Sequence, residues 1–465
     1  MILWTLACSA PADPADLADS APVHDSAAPA PTRQIESAEA CGACHPTHYD
    51  EWRQSMHAYA AQSPVFDAMA AKVYRDTAGG VGSFCTDCHS SQGSLQGDPG
   101  HLDASGRSEL ALEGISCDGC HTAVTHEHPI GNARIEHDIE GPKRGPVTDP
   151  ADATHDSEAS DFVTSPELCG SCHDVFSYPG LLIEQAYTEY LESPAREAGV
   201  RCQDCHMGPV PGLPAERARG PIAVVEGIAY EDRELSSHRF VGPDYSLLDS
   251  FPYPDDPAAG EAARAEYRQQ VEVLLGNAVE LRDAEVVVKV EGVTLSVDLA
   301  SLTDGHRVPT GFTSERQLWL EATLTDAKGE VVFVTGDLDA DGNLRDAHSP
   351  LVAAGEVPLD TDLVNLQSLN LAEVINEHGD TALGSAQVEV TFPHEADNIY
   401  RRSLEPGEVR ALEWVAEGSF EQPVTARFQL HFRNLPPYVL HHLQLDDLVD
   451  RLQIVTIDDV EVVAP

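Results

Sequence analysis

Five times in the first 206 residues, two cysteines stand three apart with a histidine directly behind the second. The groups are CGACH at 41–45, CTDCH at 85–89, CDGCH at 117–121, CGSCH at 169–173 and CQDCH at 202–206. CxxCH is the attachment pattern of c-type haem. The thiols of Cys41/Cys44, Cys85/Cys88, Cys117/Cys120, Cys169/Cys172 and Cys202/Cys205 would each add to the two vinyl groups of one porphyrin. The adjacent His45, His89, His121, His173 and His206 would then face the iron as proximal ligands. CxxC pairs also make tetrahedral zinc sites. Zinc has no need of a histidine after every second cysteine, and five repeats of that detail favour five covalent haem c groups. Of the eleven cysteines only Cys8 lies outside these groups, which leaves no intramolecular disulfide framework.

The elements that must position these groups divide in two. Residues 41–251 are rich in Gly, Pro, Cys and His and poor in long apolar runs. That is too little aliphatic material for an ordinary core, and five flat apolar macrocycles would fill it. Residues 252–282 read as a connecting helix, with Ala263, Tyr267, Val271, Leu274, Ala278 and Leu281 at helical spacing. After it the period becomes two. Val293, Leu295, Val297 and Leu299 alternate with polar residues, as do Ala426, Phe428, Leu430 and Phe432; "LWLEATLT" and "VVFV" are further strands. Residues 283–465 therefore predict a β-sandwich. The expected fold is multidomain: a mainly α and irregular, haem-packed N-terminal domain followed by an all-β sandwich. The first cysteines are 44, 32, 52 and 33 residues apart. The two short intervals suggest that groups 2 and 3, and groups 4 and 5, form close pairs.

Seventy-eight acidic residues face 28 basic ones, for a formal charge of -50. Such a surface repels nucleic acid and anionic lipid. It suits a solvated exterior that keeps the protein soluble, and equally the docking of cationic redox partner proteins. No run of about 18 apolar residues is present, so no spanning helix is expected. Cys8 follows the apolar stretch "MILWTLA", and segment 1–8 resembles a bacterial lipoprotein signal in which Cys8 becomes the lipidated residue. The stretch is short for a signal-peptide core, and Thr5 stands where that pattern prefers Leu. Residues 9–40, rich in Ala, Pro and Asp, read as a flexible tether. Covalent haem attachment takes place outside the bacterial cytoplasm. Both observations predict an exported protein, in the periplasm or at the outer membrane or cell surface, anchored by lipid.

The stretches "CGACHPTHYDEWRQSMHAYA", "GISCDGCH", "SPELCGSCHDV" and "GVRCQDCHMGP" resemble the multihaem c-type cytochromes related to cytochrome c-554. "GHRVPTGF", "RQLWLEATLTDAKGEVVF" and "HFRNLPPYVL" resemble the domain that often follows such haem modules. The resemblance implies electron transfer more strongly than any substrate. It also guides the search for second iron ligands among the sixteen histidines left after five of 21 are assigned as proximal. His57 in "WRQSMHA" matches a distal ligand, and His155 lies where similar proteins place one before their fourth haem. His238 follows the last haem in a loop with no other reason for a histidine. His306 sits in the Gly- and Pro-fixed "GHRVPTG" turn at the domain junction, from which the sandwich would donate a ligand. For the fifth haem, "CHTAVTHEH" offers His128 ahead of His126, with His48 and His348 as alternatives. Met56 and Met207 are weaker candidates, and His431, His441 and His442 read as surface residues.

"DLDADGNLRD" places Asp337, Asp339, Asp341 and Gly342 as in the first half of a calcium loop. The twelfth position is His348 instead of Glu, which favours a solvated acidic turn over Ca2+. Functionally, the sequence predicts an electron carrier of mostly bis-histidine haems, with no catalytic residue assigned. The alternative is a nitrite- or hydroxylamine-converting oxidoreductase with one open haem; a sensory or haem-storage protein is a third class. Such enzymes mark the catalytic haem by a lysine ligand or a tyrosine crosslink. Here all five groups end in His and none of the four lysines adjoins a CxxC pair.

Overall fold

In a helix, residues three and four apart share a face, so a single turn suffices to bring Cys, Cys and His of a CxxCH group together. The chain forms such turns and little more. The computed structural model describes residues 35–101, 103–149, 154–177, 180–373 and 387–465; segment 1–8, Cys8 and the tether up to residue 34 lie outside them. Groups 2, 3 and 5 form the short helices Phe84–His89, Cys117–His121 and Cys202–His206. Groups 1 and 4 close the helices Ala38–Gly42 and Pro166–Gly170. There the turn is kept by the His45 and His173 amides, which donate to the Cys41 and Cys169 carbonyls at 2.9 Å. Gly42 and Gly170 are required by close approach, since a Cβ would collide with the Tyr49 and Tyr187 rings. Two-stranded ladders such as Ala123–His126 with Ile135–His137 and Val175–Phe176 with Leu182–Glu184 fill the connections. Part of the expected tether is ordered: Ile35 and Ala38 are buried, and Ser37 caps the helix that follows by accepting from the Ala40 amide.

The apolar core lies where the sequence puts its aliphatic residues. In the N-terminal half only small clusters form, such as Ala38, Trp52, Ala58 and Tyr59 with Phe251. The helix Pro257–Gly276 is capped by Asp256, whose side chain accepts from the Ala259 amide, and starts on Pro257. It buries Ala263, Tyr267, Val271, Leu274 and Leu275. The helix stops at 276 and not at 282: Val279 and Leu281 are already inward residues of a strand. Strand and helix spacings both bury alternate-to-fourth positions over so short a stretch, which is why the period misplaced the end.

The sandwich has one sheet of β1 (Val279–Lys289), β2 (Gly292–Ser301) and β6 (Val409–Glu417), in order β1–β2–β6. The facing sheet runs β4–β3–β7–β8, from β3 (Gln317–Thr325), β4 (Val331–Thr335), β7 (Val424–Arg433) and β8 (Val455–Ala464); β5 (Val364–Asn365) also pairs with β3. All pairs are antiparallel, in registers such as Leu295 with Trp414 and Leu320 with Leu430. Leu295, Leu299, Leu320, Phe428, Leu430 and Phe432 form the interior. His431 departs from the expected surface position and is buried. It faces outward on β7, but the loop after β4 covers that end: Gly336 and Gly342 accept from Trp319 and Arg433. His431 packs on Trp319 and bonds Thr456 at 3.1 Å.

The two halves share material. Tyr245 and Leu247 pack with Leu435, Val439 and Leu440 of the sandwich half and with Val65, Ala68 and Met69 of the helix Pro64–Asp76. Leu320, fully buried between two strands, tests where stability resides. L320A is expected to cost about 2–5 kcal/mol in denaturant unfolding of the full-length protein, whereas V290S, at 99% exposed, should stay within about 0.5 kcal/mol of the parent.

Candidate cofactor cavity

A cavity of about 2600 Å³ lies within the N-terminal half and is closed on one side by residues 302–318 and 432–435 of the sandwich half. All ten CxxCH cysteines and all five CxxCH histidines line it. Of the expected distal ligands, His57, His155, His238 and His306 line it too; His128 does not.

The histidines meet in pairs. Ring centres of His45 and His155 are 6.3 Å apart, His57 and His173 6.4 Å, His121 and His238 6.3 Å, and His206 and His306 6.2 Å. A metal–imidazole bond of about 2.0 Å plus a ring radius of about 1.15 Å, taken twice, gives a span of about 6.3 Å. The donor set therefore fits an iron between the members of each pair. His48 also lies 6.2 Å from His45, but edge-on and one helical turn away, with its ring against His238 at 4.7 Å.

Hydrogen bonds orient the rings. Nδ1 of His45, His121 and His206 lies 2.6, 2.5 and 3.2 Å from the carbonyls of Ile222, Arg144 and Val241. Nδ1 of His155, His238 and His306 lies 3.1, 2.9 and 2.8 Å from those of Asp156, Ser236 and Arg307. A carbonyl only accepts, so each Nδ1 carries the proton and each Nε2 keeps a free lone pair, the form that binds metal. Burial reinforces this, holding His206 down to about 4 and His57 and His238 down to about 3, so that they are neutral near pH 7. His173 differs. Burial pushes its pKa down, but the bond to Glu184 outweighs that and raises it to about 9.

Group 2 stands apart. Among the described residues no second histidine ring faces His89; Phe66 is stacked on it at 4.4 Å, and the Arg107 guanidinium lies over Phe66. The structure does not bring His128 to this position. The strand Ala123–His126 pairs with Ile135–His137, and His128 is left exposed against His126. His348 is also elsewhere, stacked on Tyr438 and bonded to Asp346 and Glu389.

The cysteine sulfurs give the order of the groups. Cys41 contacts Cys117, Cys88 contacts Cys172 and Cys169 contacts Cys202. Group 1 thus adjoins 3, and group 4 adjoins both 2 and 5. The expected closeness of groups 4 and 5 is present. Groups 2 and 3 are linked through their peptides, with Gln92 bonded to Ser116, but their sulfurs face other groups. Phe240 packs between His57 at 4.5 Å and His238 at 5.6 Å, joining groups 4 and 3.

The His306 turn is fixed by a buried carboxylate. Glu189 accepts from the Arg307 amide at 3.1 Å and from the Thr310 hydroxyl at 2.6 Å. The Ala195 amide donates to the Asp304 carbonyl at 3.0 Å. The calcium expectation is not supported: Asp337 pairs with Arg345, while Asp339 accepts from the Asp341 and Asn343 amides and the Ser349 hydroxyl. These carboxylates are consumed inside their own turn and do not converge.

Residues 40–122 match the family described as cytochrome c554 and c-prime. Over that stretch the chain is related to the multihaem c-type cytochromes of the cytochrome c554 family. No curated protein matches the chain. In fold it is similar to the crystal structure of a penta-haem cytochrome c552 from Thermochromatium tepidum, with a TM-score of 0.58 over 92% of this chain and 99% of that one, at 19% identity. These likenesses, with the five CxxCH groups, support haem c as the cofactor and, at a coarse level, electron transfer as the class of function. Sequence reading missed Glu184, Phe66, Phe240 and Glu189. Only the last had a signal, as the acid facing the "GHRVPTG" turn once the halves are docked. E189A leaves the Arg307 amide and Thr310 hydroxyl without their acceptor, and is expected to cost about 1–3 kcal/mol in denaturant unfolding and to speed proteolysis at residues 304–310.

Proposed function

We propose that the chain carries five haem c groups, four of them ligated on both faces by His45/His155, His57/His173, His121/His238 and His206/His306, and relays electrons between redox partner proteins in the cell envelope. The observation that carries this reading is the common ring separation of 6.2–6.4 Å in four independent pairs. Haem supplies the one-electron chemistry. The chain's residues set the ligands, their tautomers and the order of neighbours, 1–3–4 with 2 and 5 adjoining 4. Export, with lipid at Cys8, follows from the N-terminal pattern and from the place of covalent haem attachment; among the described residues no helix is long and apolar enough to cross a membrane.

A second reading rests on His89. Among the described residues no histidine ring faces it; a haem there with one open position would have the feature expected of an oxidoreductase acting on nitrite or hydroxylamine. Electron paramagnetic resonance of the oxidised protein separates the two. Four low-spin components and one high-spin component are expected. A high-spin signal that changes on adding nitrite or hydroxylamine favours the enzyme, and an inert one favours the relay.

The ligand assignment is tested by H306A, which should convert one low-spin component to high spin with haem content unchanged. A mature chain with no mass beyond its amino acids, or with zinc and no Soret band, would refute the reading. Protein made without haem-attachment machinery is expected to keep the β signature of the sandwich in circular dichroism and lose most helicity, since 41–251 has only small apolar clusters of its own.

A further inference from the structure

Three of the five CxxCH histidines hand their Nδ1 proton to a backbone carbonyl, and those of groups 1, 3 and 5 are thereby alike. His173 of group 4 differs from these three in having a carboxylate as its partner. Its Nδ1 lies 3.1 Å from Oε1 of Glu184, and among the described residues His173 is the ion-pair partner of that carboxylate. The arrangement is built in. After His173 the chain forms the strand Val175–Phe176, turns, and returns as Leu182–Glu184, with Glu184 paired to Val175. The hairpin thus folds an acid back beside the histidine that precedes it. Glu184 is 8% exposed. Arg316, the cation whose field reaches it, is bonded instead to Asp244 at 2.7 Å. The negative charge of Glu184 is therefore left to act on the imidazole.

A carboxylate on the outer nitrogen of an iron-bound imidazole makes the ring a stronger donor than a carbonyl does, because the hydrogen bond is charge-assisted. A stronger donor and a nearby anion both stabilise the ferric over the ferrous state, which lowers the potential. We propose that Glu184 is a tuning residue that makes the His57–His173 haem the most reducing of the four bis-histidine haems, placing the lowest potential at the group adjoining groups 2, 3 and 5. The inference rests on the ligand assignment above and adds to it an order of potentials within the chain.

E184Q keeps a hydrogen-bond acceptor and removes the charge. In the full-length, haem-loaded protein, a redox titration followed by electron paramagnetic resonance should show one low-spin component moving positive. The expected shift is about tenfold in its oxidised-to-reduced ratio at fixed potential, which is 59 mV for one electron. The other components should stay in place. H57A, which turns the same haem high-spin, identifies the component. If none moves while haem content and the low-spin signals persist, Glu184 does not tune and the ligand assignment survives. If H57A leaves every low-spin component intact, the assignment fails and the inference with it. Should E184Q not accumulate, the parent protein decides: the component lost in H57A must be the last of the four to be reduced, and any other rank overturns the proposal.

Discussion

The structure depends on one geometric relation, that two imidazole rings from distant parts of the chain stand about 6.3 Å apart in each of four pairs. Two neutral imidazoles have no strong attraction for each other at that distance. The chain must therefore fix each ring by other means. The CxxCH turn supplies one ring of each pair locally, through a single helical turn. The second ring arrives from a loop, the helix Met56–Tyr59 or the sandwich; His155, His238 and His306 are aimed by an Nδ1 bond to a carbonyl, and His57 packs on Phe240. Burying these imidazoles is eased where burial holds the ring neutral, as for His57, His206 and His238, and where a carbonyl satisfies Nδ1, as in six of the eight paired rings.

That relation explains the division of labour between the halves. The N-terminal half spends its sequence on turns, glycines and polar bonds, and holds only small apolar clusters. The sandwich concentrates the aliphatic residues into two packed sheets, which makes it the rigid body. It then lends that rigidity at the junction. The turn carrying His306 is clamped to Glu189 on the helix Ala186–Leu191, while Lys72 reaches across to Glu395 at 2.9 Å.

The legible features are those in which chemistry and spacing coincide. CxxCH is read without reference to tertiary structure, and the period-two strands are read because one face of each is apolar. His57, His155, His238 and His306 are singled out through the resemblance to multihaem cytochromes, and each stands 6.2–6.4 Å from a CxxCH histidine ring. His128 lies away from the CxxCH histidines for a physical reason: the strand just before it pairs with Ile135–His137, which leaves His128 exposed against His126. Glu184 was invisible because its partner lies across a hairpin whose register no local pattern states. His431 was misjudged because an outward strand position is exposed only if no loop covers it.

The pairs are also mutually dependent, which no single motif expresses. Phe240 touches His57 of one pair and His238 of another, and His48 lies between His45 and His238. Phe240 adopts φ +45, a conformation that costs a bulky residue of the order of 1–3 kcal/mol and persists only where the surroundings fix it. Both rings are among those surroundings. Displacing His57 would release Phe240 to relax, and with it the support of His238. Groups 3 and 4 are therefore organised as one unit, with spacing set by packed aromatic rings and not by the intervening loops, whose length the sequence leaves free.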